Sequence, residues 1–130
     1  MRGYATMIKV LFICHGNICR SPMAEFIFKD MVSGRNLADR FYIASAATST
    51  EEIWNGTGNP VYPPAREELA KHGISCKGKR AVQLKKEDYE KYDYILGMDP
   101  WYTGRFDVTY ADVVEGCEAF LDYLEKMKKL

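Results

Sequence analysis

No stretch of this 130-residue sequence approaches the roughly 20 consecutive apolar residues that a helix needs to cross a bilayer, so no membrane-spanning helix is expected. Neither sign of charge is in excess, with 18 Lys and Arg against 18 Asp and Glu. Nothing global therefore steers the chain toward nucleic acid or an anionic membrane, and anion recognition has to be local. Cysteines are few: Cys14, Cys19, Cys76 and Cys117, with no pair at the spacing of a C-x₂-C zinc site. The N-terminus lacks the apolar core of a secretory signal, so these read as reduced thiols in a cytoplasm rather than a disulfide framework. Cys76 and Cys117 read as inert. Internal repeats and low-complexity tracts are absent too. Residues 1–6 precede a second methionine, Met7, and read as a leader or expression remnant; 7–130 then form a single domain.

What is present has the balance of a globular protein, 47% hydrophobic and 28% charged. Residues 8–13 form a short apolar run rich in β-branched side chains, the pattern of a strand buried on both faces. A polar turn follows, and Ser21-Pro22 reads as an N-cap with proline just inside the helix. Apolar residues at helical spacing (Met23, Phe26, Ile27, Met31) then run to Ser33-Gly34. Phe41–Ala44 reads as a second strand, and 48–64, rich in Gly, Asn, Pro and Thr, as a long loop carrying Trp54. A helix is expected from about Pro64 to Lys71, capped by Gly73, and a short one near Lys85–Lys91. Tyr94–Met98 reads as a third strand, and Asp107–Met127 as a long amphipathic helix. Alternating strands and helices imply an α/β fold: a three-layer arrangement with a small parallel sheet of three to four strands flanked by helices. Ligands of such sheets sit off the carboxyl ends of the strands, so the loop after the first strand is where a site is expected.

That loop, Cys14-His15-Gly16-Asn17-Ile18-Cys19-Arg20-Ser21, joins a strand to a helix. Inward-pointing backbone N–H groups and a helix N-terminus make such a loop a concave anion site. Gly16 and Asn17 are residue types that tolerate left-handed conformations. Arg20 offers a planar fork of donors for two phosphate oxygens. An electropositive helix start favours the thiolate of a cysteine placed there, and a thiolate beneath a bound phosphate is set for in-line attack. The plainer reading makes Cys14 a core cysteine at a strand end and Arg20 a solvated residue; the strand–loop–helix setting argues against it.

The run Val10-Leu-Phe-Ile-Cys-His-Gly-Asn-Ile-Cys-Arg-Ser-Pro-Met-Ala-Glu25 resembles the N-terminal signature of the low-molecular-weight protein tyrosine phosphatases. The similarity continues through Ser45-Ala46, His72-Gly73-Ile74, Ala81-Val-Gln-Leu84 and Tyr94-Ile-Leu-Gly-Met-Asp99, and ends on Asp99-Pro-Trp-Tyr102. The resemblance implies hydrolysis of phosphotyrosine in a protein substrate through a phosphocysteine, with Cys14 as nucleophile and Arg20 as clamp and no cofactor or metal. It implies Asn17 and Ser21 as loop organisers, with the Ser21 hydroxyl holding the thiolate. Ser45 and His72 match positions that hydrogen-bond to the asparagine. Asp99 matches the general acid, which the departing aryl oxide needs. Trp101 and Tyr102 would wall the substrate ring, with Trp54 opposite. Cys19 matches a second loop cysteine able to pair reversibly with Cys14, a protection against overoxidation. Ile18 resembles the tyrosine-directed members, where the arginine-phosphatase branch has threonine. His15 stands at the rim, either tuning substrate choice or simply exposed.

Two departures stand out. In the family a helix and a further strand separate the Met-Asp that ends the third strand from the Asp-Pro-aromatic motif; here they fuse into Met98-Asp99-Pro100. A parallel crossover needs a dozen or more residues, so either the fourth strand is absent or the segment carrying it is missing from the sequence. Its absence would shorten the tether of Asp99 and leave the third strand as an open edge, inviting a homodimer or strand exchange. The second departure is Val61-Tyr62-Pro63-Pro64-Ala65, where the family usually has aspartate and then proline-arginine. Two other activities use related chemistry. A thioredoxin-coupled arsenate reductase would need a downstream cysteine pair, which Cys76 and Cys117 do not form. A phosphate-binding or phosphoryl-carrier module would need no acid, so Asp99 discriminates.

Overall fold

The computed structural model describes residues 7–98 and 104–130. Strand β1 (Ile8–Cys14) is central, with β2 (Phe41–Ala47) on one side and β5 (Tyr94–Gly97) on the other, all parallel. Pairing runs from Ile8 opposite Phe41 to Cys14 opposite Ala47, and from Val10 opposite Tyr94 to Ile13 opposite Gly97. Central placement explains the continuous apolar run of β1: Val10 and Leu11 point to opposite faces and both are buried. The carboxyl ends of the three strands, at Cys14, Ala47 and Gly97, lie side by side. Two backbone bonds carry the β1–β2 alignment past the strand end, Thr48 N–H to the Cys14 carbonyl (2.9 Å) and Ser49 N–H to the His15 carbonyl (3.0 Å).

Helix α1 (Arg20–Gly34) crosses from β1 to β2, and α4 (Phe106–Lys126) packs beside it. The core lies between the sheet and α1, α2 (Pro63–Lys71) and α4. Its centre is Phe28, fully buried, which meets Phe12 and Phe41 edge-to-face at 5.8 and 5.2 Å and tilts against Phe120 at 5.7 Å. Helix α2 stops as its sequence dictates. Gly73 takes φ +74° and the Ile74 N–H reaches back to the Leu69 carbonyl at 3.0 Å, satisfying an end carbonyl. Helix α3 (Asp88–Lys91) is a single turn before β5.

Several expectations need adjustment. Helix α1 begins earlier than Ser21: Cys19 is its N-cap and no side chain caps it, because the Ser21 hydroxyl is turned toward Cys14. Helix α1 also runs through Gly34, and the left-handed residue closing it is Asn36 (φ 60°). The 48–64 segment is not wholly loop. Its Ile53–Trp54 (β3) and Thr57–Gly58 (β4) pair antiparallel around Asn55-Gly56, whose φ values of 50° and 77° are those of a tight hairpin turn. The sheet has three strands among the described residues, and the outer edge of β5 pairs with none of them.

Candidate active site

Strand β1 delivers Cys14, buried, to the sheet's carboxyl edge, and the chain must reverse at once into α1. Asn17 makes that turn in the left-handed region (φ 58°), which aims its own N–H back at Cys14 Sγ, 3.3 Å away. Gly16 does not share this conformation. A Cβ there would approach the Glu52 side chain at 3.2 Å, which would have to shift by a few tenths of an ångström.

The Asn17 side chain fixes the protons around the sulfur. Val82 N–H donates to Asn17 Oδ1 (3.0 Å), so the amide orientation is determined by a donor that cannot accept. Asn17 Nδ2 then donates to Ser21 Oγ (2.8 Å) and to Ser45 Oγ (2.9 Å). Because Ser21 Oγ accepts from Asn17, its own hydrogen is available for Cys14 Sγ at 2.9 Å. The sulfur thus faces one hydroxyl donor and one backbone donor. Ser45, equally buried, passes its hydrogen to Glu25 Oε1 at 2.6 Å. Glu25 is a buried carboxylate that stands between Lys29 and Lys79 (Lys79 Nζ to Oε1, 3.5 Å). Lys79 also donates to the Ser45 carbonyl at 3.1 Å. Burial pushes the Lys79 ammonium below its ordinary pKa, and the Glu25 carboxylate opposes that shift. The loop is further pinned by Tyr62 N–H to the Ile18 carbonyl (2.7 Å), so the Tyr62-Pro63-Pro64 entry to α2 docks on it.

Above Cys14 opens a cavity of about 560 Å³ lined by Ile13, Cys14, His15, Arg20, Thr48, Gly97 and Met98. It lies at the carboxyl ends of all three parallel strands, where an α/β sheet is expected to bind ligand. Arg20 opens the first turn of α1, so the helix N-terminus and the guanidinium address the same space. No acidic side chain occupies that turn.

The other sequence candidates divide. His15 is exposed, its Nε2 2.9 Å from Glu51 Oε2 on the next loop, at the rim of this cavity. Cys19 is a free, half-buried thiol whose pKa is raised by burial and then by the charge of Cys14. Ile18 contributes its carbonyl to the contact with Tyr62. His72 is not in the asparagine network. Its Nε2 lies 3.0 Å from Glu68 Oε2, one helical turn earlier, and its ring stacks on Tyr110 at 3.6 Å. Asn17 finds its partners in Ser21, Ser45 and Val82 instead. Trp54 is 69% exposed on β3 and is not among the residues lining the cavity over Cys14. Asp99, Trp101 and Tyr102 lie outside the described residues, as does the 1–6 leader. Sequence reasoning missed Glu25 and Lys79, although Glu25–Lys29 has the i, i+4 spacing of a helical ion pair. Burial raises the thiol of Cys76, and pushes that of Cys117 up to about 12, so neither offers a thiolate at neutral pH. Among the described residues no group of three or more His, Cys, Asp or Glu is placed to hold a metal ion.

Residues 9–130 match the family model described as low molecular weight phosphotyrosine protein phosphatase. The chain is 32% identical to the low molecular weight protein-tyrosine-phosphatase YfkJ of Bacillus subtilis, over 95% of its own length and 100% of that protein. The YfkJ crystal structure superposes with a TM-score of 0.85 across 98% of this chain and 99% of that one. A low molecular weight protein tyrosine phosphatase from Streptococcus pyogenes superposes with a TM-score of 0.80 at 35% identity, covering 91% and 93%. The rat low molecular weight phosphotyrosine protein phosphatase is 47% identical over 90 residues, 69% of this chain but only 54% of that relative. The Bacillus subtilis alignment runs over 160 positions and takes in 95% of 130 residues, about 124. About 36 positions of that relative therefore have no counterpart here.

Proposed function

We propose, from the premise that this chain belongs to the low molecular weight phosphotyrosine protein phosphatase family, that it hydrolyses aryl phosphate monoesters, with phosphotyrosine in proteins as its substrate. The observation that carries the reading is the ordered pair of donors on Cys14 Sγ, from Ser21 and from the Asn17 backbone, at the floor of a cavity that Arg20 lines.

Phosphate enters with its oxygens toward the Arg20 guanidinium and the start of α1, which stabilise the charge spread over the transferring group. The Cys14 sulfur forms a bond to phosphorus as the bond to the aryl oxygen breaks. Asp99, as the acid, gives its proton to that departing oxygen. Water then attacks the phosphocysteine, the phosphorus–sulfur bond breaks, Asp99 takes the water's proton and inorganic phosphate leaves. Ser21 holds the sulfur as a thiolate before attack and as a leaving group afterwards. Ile18, the residue type that the tyrosine-directed members resemble at this position, supports an aryl ester over a guanidino phosphate. Nothing in this sequence of steps calls for a metal or cofactor.

Hydrolysis of p-nitrophenyl phosphate tests the assignment. Cys14→Ser is expected to be inactive, and Asp99→Ala to lose roughly 10²–10⁴-fold in kcat, the usual contribution of a general acid. Full activity in Asp99→Ala would refute the acid. Retained activity in Cys14→Ser would refute the phosphocysteine.

Three further readings accompany this one. Cys14 and Cys19, both free, are a pair able to form a reversible disulfide under oxidation, which peptide mapping after mild peroxide treatment would detect. Reduced thiols in this role suit the cytoplasm, where fractionation should find the protein; among the described residues no helix is long and apolar enough to cross a membrane. Strand β5, unpaired on its outer edge among the described residues, suits pairing with a second copy of the chain.

A further inference from the structure

A cavity of about 480 Å³ lies between α2 and the chain segments on either side of that helix. It shares no lining residue with the cavity over Cys14. Three of its side chains are cations, Arg66, Lys77 and Lys79, and among the described residues none that lines it is acidic. Arg66 comes from α2. The two lysines flank Gly78 in a turn closed by Lys79 N–H to the Cys76 carbonyl (3.1 Å), where Gly78 takes φ 84°. The chain after that turn is tied to the segment before α2. Ala81 N–H donates to the Asn59 carbonyl at 2.9 Å, and the Arg80 guanidinium to the Gly58 carbonyl at 2.9 Å.

The fold does not consume these charges. Among the described residues neither Arg66 nor Lys77 enters an ion pair. Lys79 is anchored instead: its side chain is 11% exposed, 3.5 Å from Glu25 Oε1, and donates to the Ser45 carbonyl at 3.1 Å. The carboxyl end of α2 borders the same space, but its carbonyls at Leu69 and Ala70 already accept from the Ile74 and Gly73 N–H groups, at 3.0 Å each.

We propose that this cavity is a second anion site, separate from Cys14, which takes a phosphate group, free or carried on a small organic body. The proposal goes beyond the phosphate-loop reading and does not depend on it. Arg66 offers a planar fork for two phosphate oxygens, and Lys77 a mobile point charge beside it. Two cations without partners favour a dianion over a single carboxylate. The volume falls in the usual range for ligand pockets, roughly 300–1,000 Å³, and Pro60, Val61 and Ile74 give it an apolar wall for an organic body. Lys79 belongs both to this site and to the Glu25–Ser45 network beneath Cys14.

Residue-resolved NMR of the full chain tests the site, titrated with inorganic phosphate and separately with propylphosphonate, at constant ionic strength held with chloride. The amide resonances of Lys77, Gly78 and Lys79 should move saturably, with a midpoint different from that of the Gly16–Ser21 amides. Arg66→Gln and Lys77→Gln should each raise the midpoint at residues 77–79 by about threefold or more and leave that of the loop unchanged. Both side chains are exposed, and the loop amides report in the same spectra that the variants are folded. Tighter binding of propylphosphonate identifies an organic phosphate and equal binding free phosphate; either supports the site. Absence of saturable movement at residues 77–79, the same movement with chloride alone, or an unchanged midpoint in both variants would overturn it. Silent loop amides would instead strike the phosphate loop, so the two failures are distinguishable.

Discussion

Cys14 owes its setting to Asn17. Asn17 supplies a backbone turn that puts an N–H on the sulfur, and an amide that ties together Ser21, Ser45 and Val82. The two contributions are separable. Asn17→Gly keeps the left-handed turn and loses the amide, whereas Asn17→Ala loses both. Each variant leaves buried hydroxyls with one partner fewer, a loss of about 1–3 kcal/mol, and Asn17→Ala should be the less stable by about another 1 kcal/mol of backbone strain. Urea denaturation of both proteins checks the order; equal stability would mean that the turn carries no strain. Cys14 and Arg20 stood out in the sequence because they flank a strand–loop–helix turn, whereas the parts of Asn17 and Ser21 came from the family resemblance, Ser21 reading by itself as a helix cap. The partner of His72 was not read correctly, yet its signal was present: Glu68 sits four residues earlier on the same helix. The role of Glu25 and Lys79 was not legible, since a buried ion pair between residues 54 positions apart depends on tertiary packing.

Among the elements, the boundaries that sequence caught were those punctuated by residues with a conformational requirement. Gly73 closed α2 where expected, because only the left-handed region lets Ile74 reach Leu69. The β3–β4 hairpin carries an equally plain Asn-Gly signal, but its strands are two residues each, too short for alternation to show. Helix α1 started before its apparent cap because Ser21 was recruited by the site. The start of α4 gives a pH prediction. Arg105 donates to both carboxylate oxygens of Asp107, at 3.1 and 2.9 Å, and this holds the carboxyl at about 2, below its ordinary 3.8. A depressed carboxylate stabilises the fold above its unfolded pKa and loses that contribution as pH falls through the folded value. The window is therefore about pH 4 down to about 2. The pair is fully exposed, so the effect is small. Thermal midpoints followed from pH 5 to pH 2 should fall slightly more for wild type than for Asp107→Asn, most clearly at low salt. Parallel curves would show that the pair contributes nothing.

For the whole molecule, the fold class was legible from the alternation of strands and helices, and the small sheet from the absence of room for another crossover. Among the described residues the sheet has three strands, and Asn17 ties Ser21 and Ser45 together at their carboxyl ends. The pairing of two copies proposed above rests on the β5 edge of Tyr-Ile-Leu-Gly, which pairs with no other strand among the described residues. Light scattering across a concentration series should report a dimer that Leu96→Lys or Ile95→Pro weakens; a monomer at all concentrations would contradict it.

The central claim is that Cys14 becomes covalently phosphorylated during turnover, and rapid quench with intact-mass analysis addresses it directly. Mixed with p-nitrophenyl phosphate and quenched in acid, wild type should gain the mass of one phosphoryl group, located by peptide mapping on the fragment containing Cys14. Cys14→Ser should gain none. Turnover by wild type with no such adduct, or an adduct on another residue, would contradict the account.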